Sequence, residues 1–213
     1  MAFSGFPVAA LDYYDDLEVD NTRSFFEAHR DVYERAVRAP MTALCEELAD
    51  EFGPATIFRP HRDVRFAADK TPYKTHQGAF VAAGPATGWY VQVAAPGVRV
   101  GAGFYRADPA ELSAIRVGID DDREGAVLRR RLNRLTRDGF EISGDRLRTS
   151  PRGYAADHPR IDLLRHRSLT VGRHYGFEPF VHTRALLERV REDWRSLRPL
   201  VAWVAARRAA PER

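Results

Sequence analysis

Trp89-Tyr90-Val91-Gln92-Val93-Ala94, then Ala95-Pro96-Gly97, then Val98-Arg99-Val100-Gly101-Ala102-Gly103-Phe104-Tyr105, carries two strand patterns either side of a short turn. Trp89, Val91 and Val93 alternate with Tyr90, Gln92 and Ala94, the period of two that gives an antiparallel strand one packed face and one less apolar face. Pro96-Gly97 is a turn signal, and Val98 to Tyr105 reads as the partner strand. The glycines at 101 and 103 predict a bulge or a close backbone contact. They are not a phosphate fingerprint, because no helix begins directly after them.

Gly78 to Ala83 and the turn Gly84-Pro85 add a strand upstream, so consecutive hairpins are expected. Thr56 to Arg59 and Asp63 to Phe66 read as short strands separated by Pro60. Before them the pattern is helical: Pro7 to Leu17, then Asp20-Asn21-Thr22 as a cap for a helix to about Arg38, then a third helix from the breaking Pro40 to Phe52. After the hairpins, Asp108-Pro109 opens a helix to about Ile119, and Glu124 to Arg137 forms another. Phe140 to Leu147 reads as a small hairpin turning at Ser143-Gly144-Asp145. His158-Pro159 begins a short helix, Ser168 to Gly172 a strand, and Thr183 to about Arg208 a closing helix that Pro199 kinks or interrupts. The expected fold is α+β in one domain over 1–213: a mainly antiparallel central sheet (about 56–105), N-terminal helices (about 7–52), and helices with short strands to the C-terminus.

Composition excludes several classes. No run of about 18 apolar residues spans a bilayer, and Met1 to Pro7 lacks the basic start and apolar stretch of a secretory signal, so a cytoplasmic, soluble protein is expected. The single cysteine, Cys45, rules out an internal disulfide; its spacing from Leu44 and Leu48 predicts a packed core thiol. The seven histidines form no H-E-x-x-H or comparable pair, so no metal is expected, and nothing calls for an organic cofactor. Net charge is only +3, too weak to imply nucleic acid. Arg129-Arg130-Arg131-Leu132-Asn133-Arg134 is a basic run with few interleaved aromatics, and reads as a solvated helix exterior.

The basic residues are lopsided. Of 33, all but two are arginine, and the two lysines, Lys70 and Lys74, lie four positions apart. Arginine is a planar fork that stays protonated, whereas lysine is a compact charge whose pKa can shift, so this window calls for an ammonium. Around them, Arg62-Asp63-Val64-Arg65-Phe66-Ala67-Ala68-Asp69-Lys70-Thr71-Pro72-Tyr73-Lys74-Thr75-His76-Gln77-Gly78 holds most of the chain's concentrated polar chemistry. Asp63 and Arg65 share one side of an extended chain and can pair. Asp69-Lys70-Thr71-Pro72 has the composition of a turn, and Phe66 and Tyr73 would anchor the stretch. Arg62, Arg65, Lys70 and Lys74 would make an anion site for phosphate, carboxylate or a nucleic-acid backbone. Asp63, Asp69, Lys70 and Tyr73 are the candidates for acid–base work. The same residues also suit a hydrogen-bonded buttress that pins a loop to the sheet.

The string R-D-V-R-F-A-A-D-K-T-P-Y-K resembles the signature of a conserved hypothetical bacterial and fungal family, domain of unknown function 2461. Asn21 with Phe25-Phe26, the hairpin strands Trp89 to Val93 and Gly101 to Tyr105, the helix holding Ile115-Arg116, and Pro151-Arg152-Gly153-Tyr154 with Asp157-His158-Pro159 resemble further blocks of it, so the likeness covers nearly the whole chain. It implies no reaction or ligand. It does imply that Arg116, Arg152, Tyr154 and His158 join the Arg62–Lys74 residues in one site. The expectation is binding of an anionic or phosphate-bearing small molecule, with catalysis open. The alternatives are a noncatalytic nucleic-acid or protein interaction module, or a structural motif with function elsewhere.

Overall fold

The computed structural model describes residues 2–65 and 68–208. Among them six strands form one antiparallel sheet: β1 (Ala55–Ile57), β2 (His76–Gly84), β3 (Thr87–Ala94), β4 (Gly97–Phe104), β5 (Glu141–Ser143) and β6 (Leu169–Gly176), in the order β1-β2-β3-β4-β6-β5. The alternation in β3 is realised. Trp89, Val91 and Val93 are buried while Tyr90 and Gln92 are half-buried, with the Tyr90 hydroxyl donating to Gln92 Oε1 at 2.9 Å. Full burial of a side chain such as Val91 stabilises by about 1.5–3 kcal/mol.

The glycine pair in β4 is a close backbone contact. A Cβ on Gly103, whose φ is +137°, would lie 2.1 Å from the Leu169 carbonyl oxygen, and one on Gly101 would lie 3.0 Å from that of Val171. Both glycines let β4 run against β6. β1 pairs with β2 in the register Thr56↔Phe80, and β5 with β6 in the register Ile142↔Val171.

The helices are α1 (Val8–Val19), α2 (Arg23–Ala28), α3 (Arg30–Val32), α4 (Ala39–Phe52), α5 (Pro109–Asp120), α6 (Asp122–Arg137), α7 (Ile161–Leu164) and α8 (Ala185–Arg208). α5 begins as its sequence predicts: the Asp108 side chain accepts from Glu111 N at 2.8 Å, Glu111 Oε2 accepts from Asp108 N at 2.8 Å, and Pro109 fills the first turn.

Contacts divide the chain into two compact units. The first comprises residues up to 81, 90–100 and 174–192; the second comprises 82–89, 101–173 and residues from 193 onward. β2, β3, β4, β6 and α8 each contribute residues to both. In the first unit Phe3, Phe6, Tyr14, Leu17, Leu44 and Leu48 are fully buried. Cys45 is buried as well, and burial pushes its thiol up to about 12, which makes it an inert core residue. In the second unit Phe104, Ile115, Leu128, Leu132, Trp194 and Leu197 form the interior, and Trp89 Nε1 donates to the Trp194 carbonyl at 3.1 Å.

Four local expectations are corrected. The helix expected from the Asp20-Asn21-Thr22 cap to about Arg38 breaks at His29, whose φ is −111° and whose ring stacks on Phe25 with centroids 4.1 Å apart. Pro40 does not end a helix; a π-helical turn over Tyr33–Arg38 leads directly into α4, a wider turn that accommodates a ring otherwise in conflict with the carbonyl four residues back. Residues 141–143 pair with β6 instead of folding back as a local hairpin. No strand forms over 63–65, which is irregular chain, and the Phe66 anchor lies outside the described residues.

Candidate functional site

The 59–76 segment leaves β1 and returns to β2 through a narrow base. His61 and Tyr73 form an antiparallel bridge, flanked by Arg62 N donating to Pro72 O and Lys74 N donating to Pro60 O, each at 2.8 Å. Pro60 and Pro72 lack a donor, so each supplies only its carbonyl here. The base is fixed against the helices through Tyr73, which is 4% exposed. Its ring stacks on Phe26 with centroids 4.2 Å apart and 9° between planes, and His61 lies 5.0 Å away. Asn21 brackets its backbone, accepting from Tyr73 N at 3.0 Å and donating to Tyr73 O at 3.1 Å.

At the tip, charge is paired internally. Arg65 donates to Asp63 through Nε at 2.9 Å and Nη2 at 2.7 Å, the pairing expected from their spacing. That contact holds the Asp63 carboxyl below the usual carboxylate range. Asp69 accepts from the Thr71 amide at 2.9 Å and hydroxyl at 2.8 Å, and from Arg62 Nη1. Together these lower its pKa, the Thr71 amide most. Lys70 Nζ donates to the Val64 carbonyl at 2.9 Å and is exposed. Both carboxylates are engaged in shaping the turn.

The base differs. Lys74 Nζ donates to the Arg59 carbonyl at 3.0 Å and stands 5.3 Å from the centre of the Phe58 ring. Phe58 is itself fixed: its amide donates to Gly78 O at 2.9 Å and its carbonyl accepts from Gln77 Nε2 at 2.8 Å. Gln77 is buried and accepts from the Tyr33 hydroxyl at 2.6 Å. Among the described residues neither lysine has a carboxylate within ion-pair distance. Burial and then the Arg59 guanidinium lower the Lys74 pKa; burial, then Lys74 and Arg62, lower that of His76. Four basic side chains are thus linked electrostatically at the foot of the loop, Arg59 to Lys74 and both Lys74 and Arg62 to His76.

The other expected residues belong to the second unit, where three of the four gather. His158 Nδ1 accepts from Arg160 N at 3.0 Å, so Nε2 carries the proton, and it faces Asp120 Oδ1 at 3.0 Å. Both nitrogens are engaged. Tyr154 lies edge-on to His158 with ring centroids 6.3 Å apart, its pKa raised by burial and by Asp120 and drawn back by Arg116. Arg116 Nε donates to Leu164 O at 3.1 Å. Arg160 reaches the end of α5, donating to the carbonyls of Ile119 at 2.7 Å and Asp120 at 2.6 Å, where a cation suits the helix dipole. Arg152 is exposed. Among the described residues no three His, Cys, Asp or Glu side chains converge as metal ligands, and no helix is long and apolar enough to cross a membrane.

A family model described as conserved hypothetical protein (DUF2461) matches residues 9–203. The chain belongs to this family. The matched range takes in both the 59–76 segment and the Arg116–His158 group. No curated protein matches the chain. In this DUF2461 protein, reading the sequence missed Arg59 and His76 as members of the basic group, since each lies just outside the signature. The signal that finds them is the pairing of His61 with Tyr73, which carries Lys74 back to the chain beside Pro60 and Arg59.

Proposed function

We propose that the foot of the 59–76 loop binds the carboxylate or phosphate of a small molecule through Arg59, Arg62, Lys74 and His76. The observation that carries this reading is the Lys74 ammonium, half-buried over an aromatic ring, answered by one main-chain carbonyl and coupled to the basic groups of Arg59 and His76. Mutual repulsion of such groups is relieved by an anion, so the site gains from a ligand what it lacks internally. The tip has a different role: with Asp63 satisfied by Arg65, and Asp69 by Thr71 and Arg62, it braces the loop. Arg65 and Lys70 are therefore assigned to that brace and not to the ligand.

Melting temperature tests the proposal. A ligand that binds only the folded state stabilises it by RT ln(1 + [L]/Kd), about 2.7 kcal/mol at a hundredfold excess over Kd. Inorganic phosphate or citrate, against chloride at equal ionic strength, is expected to raise the wild-type melting temperature and to leave Lys74→Met unmoved. Equal response of the two proteins, or no response to any multivalent anion, overturns it.

A further inference from the structure

Anion binding alone gives no reason for lysine at position 74. Arginine offers more donors and a bidentate fork for phosphate or carboxylate, and this chain uses arginine everywhere except positions 70 and 74. What lysine has and arginine lacks is an amine that can lose its proton near neutral pH and then attack. A nucleophilic lysine needs an apolar or cationic setting and no carboxylate to hold its proton. Position 74 supplies these: the Phe58 ring at 5.3 Å, Arg59 and His76 as electrostatic neighbours, with Arg62 acting on the same His76, and no carboxylate at ion-pair distance among the described residues. The Arg59 carbonyl, 3.0 Å away, fixes the direction of Nζ.

We propose, resting on the anion reading above, that Lys74 Nζ condenses with the aldehyde or ketone carbon of a small anionic carbonyl compound, a 2-oxo acid being the simplest, while Arg59 and Arg62 hold its anionic group. The nitrogen lone pair forms the new C–N bond as the carbonyl π pair moves to oxygen. That oxygen then leaves as water, carrying the two protons lost from nitrogen, and a C=N double bond remains. No oxidant or reductant is consumed. The lowered Lys74 pKa agrees with this role, since only the neutral amine adds to the carbonyl. Lys70, exposed at the tip and bonded to Val64 O, is an internal control on the same loop.

The test uses the intact wild-type protein with pyruvate and sodium cyanoborohydride, which delivers hydride to the imine carbon and fixes the adduct, followed by peptide mapping. Pyruvate is expected to modify Lys74 several-fold more than Lys70, acetone, which has no anionic group to be held, is expected to show a smaller preference for Lys74, and inorganic phosphate is expected to suppress the Lys74 adduct. If Lys70 is modified as much as Lys74 while phosphate still raises the melting temperature, the covalent role falls and the anion site stands. If pyruvate and acetone modify Lys74 alike and phosphate neither protects it nor raises the melting temperature, both fall.

Discussion

The side-chain amide of Asn21 takes up both backbone groups of Tyr73, 52 positions later, accepting from its N–H at 3.0 Å and donating to its carbonyl at 3.1 Å. A carboxamide presents the same donor–acceptor pair as a peptide unit, so Asn21 acts as one rung of a strand against the returning limb of the loop. Asn21→Ala removes both bonds and is expected to cost about 1–3 kcal/mol. Asn21→Asp retains the acceptor but loses the donor to the Tyr73 carbonyl, and should fall between. Urea unfolding gives the magnitude, and amide exchange locates it: the Tyr73 amide should lose protection before β3 does. Uniform loss of protection across the sheet would contradict a local clamp.

Asp69 sets how much of Arg62 is free for a ligand. Its carboxylate accepts from Arg62 Nη1 and from both donors of Thr71. Asp69→Asn keeps an oxygen for Thr71 and removes the negative charge that competes with an incoming anion. The expected result is tighter phosphate binding by severalfold at low salt, with the advantage shrinking as ionic strength rises. Titration calorimetry at two salt concentrations checks it; unchanged affinity would place Arg62 outside the anion site.

The β3–β4 hairpin is legible because its alternation is local: Trp89, Val91 and Val93 declare the buried face, and a turn of a few residues closes the pair. The pairing of residues 141–143 is not. Ser143-Gly144-Asp145 has turn composition, yet Ser143 is opposite Thr170, a choice made by a strand 27 positions away. The candidate segment stood out through its two lysines in an arginine-rich chain. Its division into a braced tip and a basic foot did not, because Arg59 joins Lys74 only once His61 bridges Tyr73. The continuous helix expected from the Asp20-Asn21-Thr22 cap to about Arg38 failed for a similar reason. Apolar spacing runs through His29, but that residue leaves helical geometry while its ring nitrogen contacts the Phe25 carbonyl at 2.9 Å.

Gly103 and Gly101 separate two kinds of steric demand within one strand. An alanine at 103 would meet the Leu169 carbonyl oxygen at 2.1 Å and require a residue with a side chain at φ +137°. At 101 it would face the Val171 carbonyl oxygen at 3.0 Å with no such backbone demand. Gly103→Ala is expected to destabilise by about 3 kcal/mol or more, from overpacking and backbone strain together, and Gly101→Ala by about 1 kcal/mol. Thermal unfolding of the pair is the measurement, and equal losses would show that the backbones part easily there.

His166 should give the protein a stability that fades in mild acid. The residue is 3% exposed, and its Nδ1 lies 2.7 Å from the Ser168 carbonyl, which only accepts, so Nδ1 carries the proton of the neutral ring. Burial lowers its pKa from the usual 6.5, Arg146 adds to this, and the Ser168 bond and Asp162 oppose it. His76 is lowered in the same direction. Below 6.5 the unfolded chain therefore binds more protons than the folded one, so stability is complete above that pH and is lost as pH falls through the folded value. Carboxylates such as Asp162, lowered by Arg129, act in a more acid window and leave the range between about pH 5 and 6.5 to the histidines. The urea midpoint is expected to decline across that range in wild type. In His166→Asn, whose amide can still donate to Ser168 O, the decline should be shallower, with the remainder due to His76. Identical slopes in the two proteins would assign the acid sensitivity to groups other than the buried imidazole.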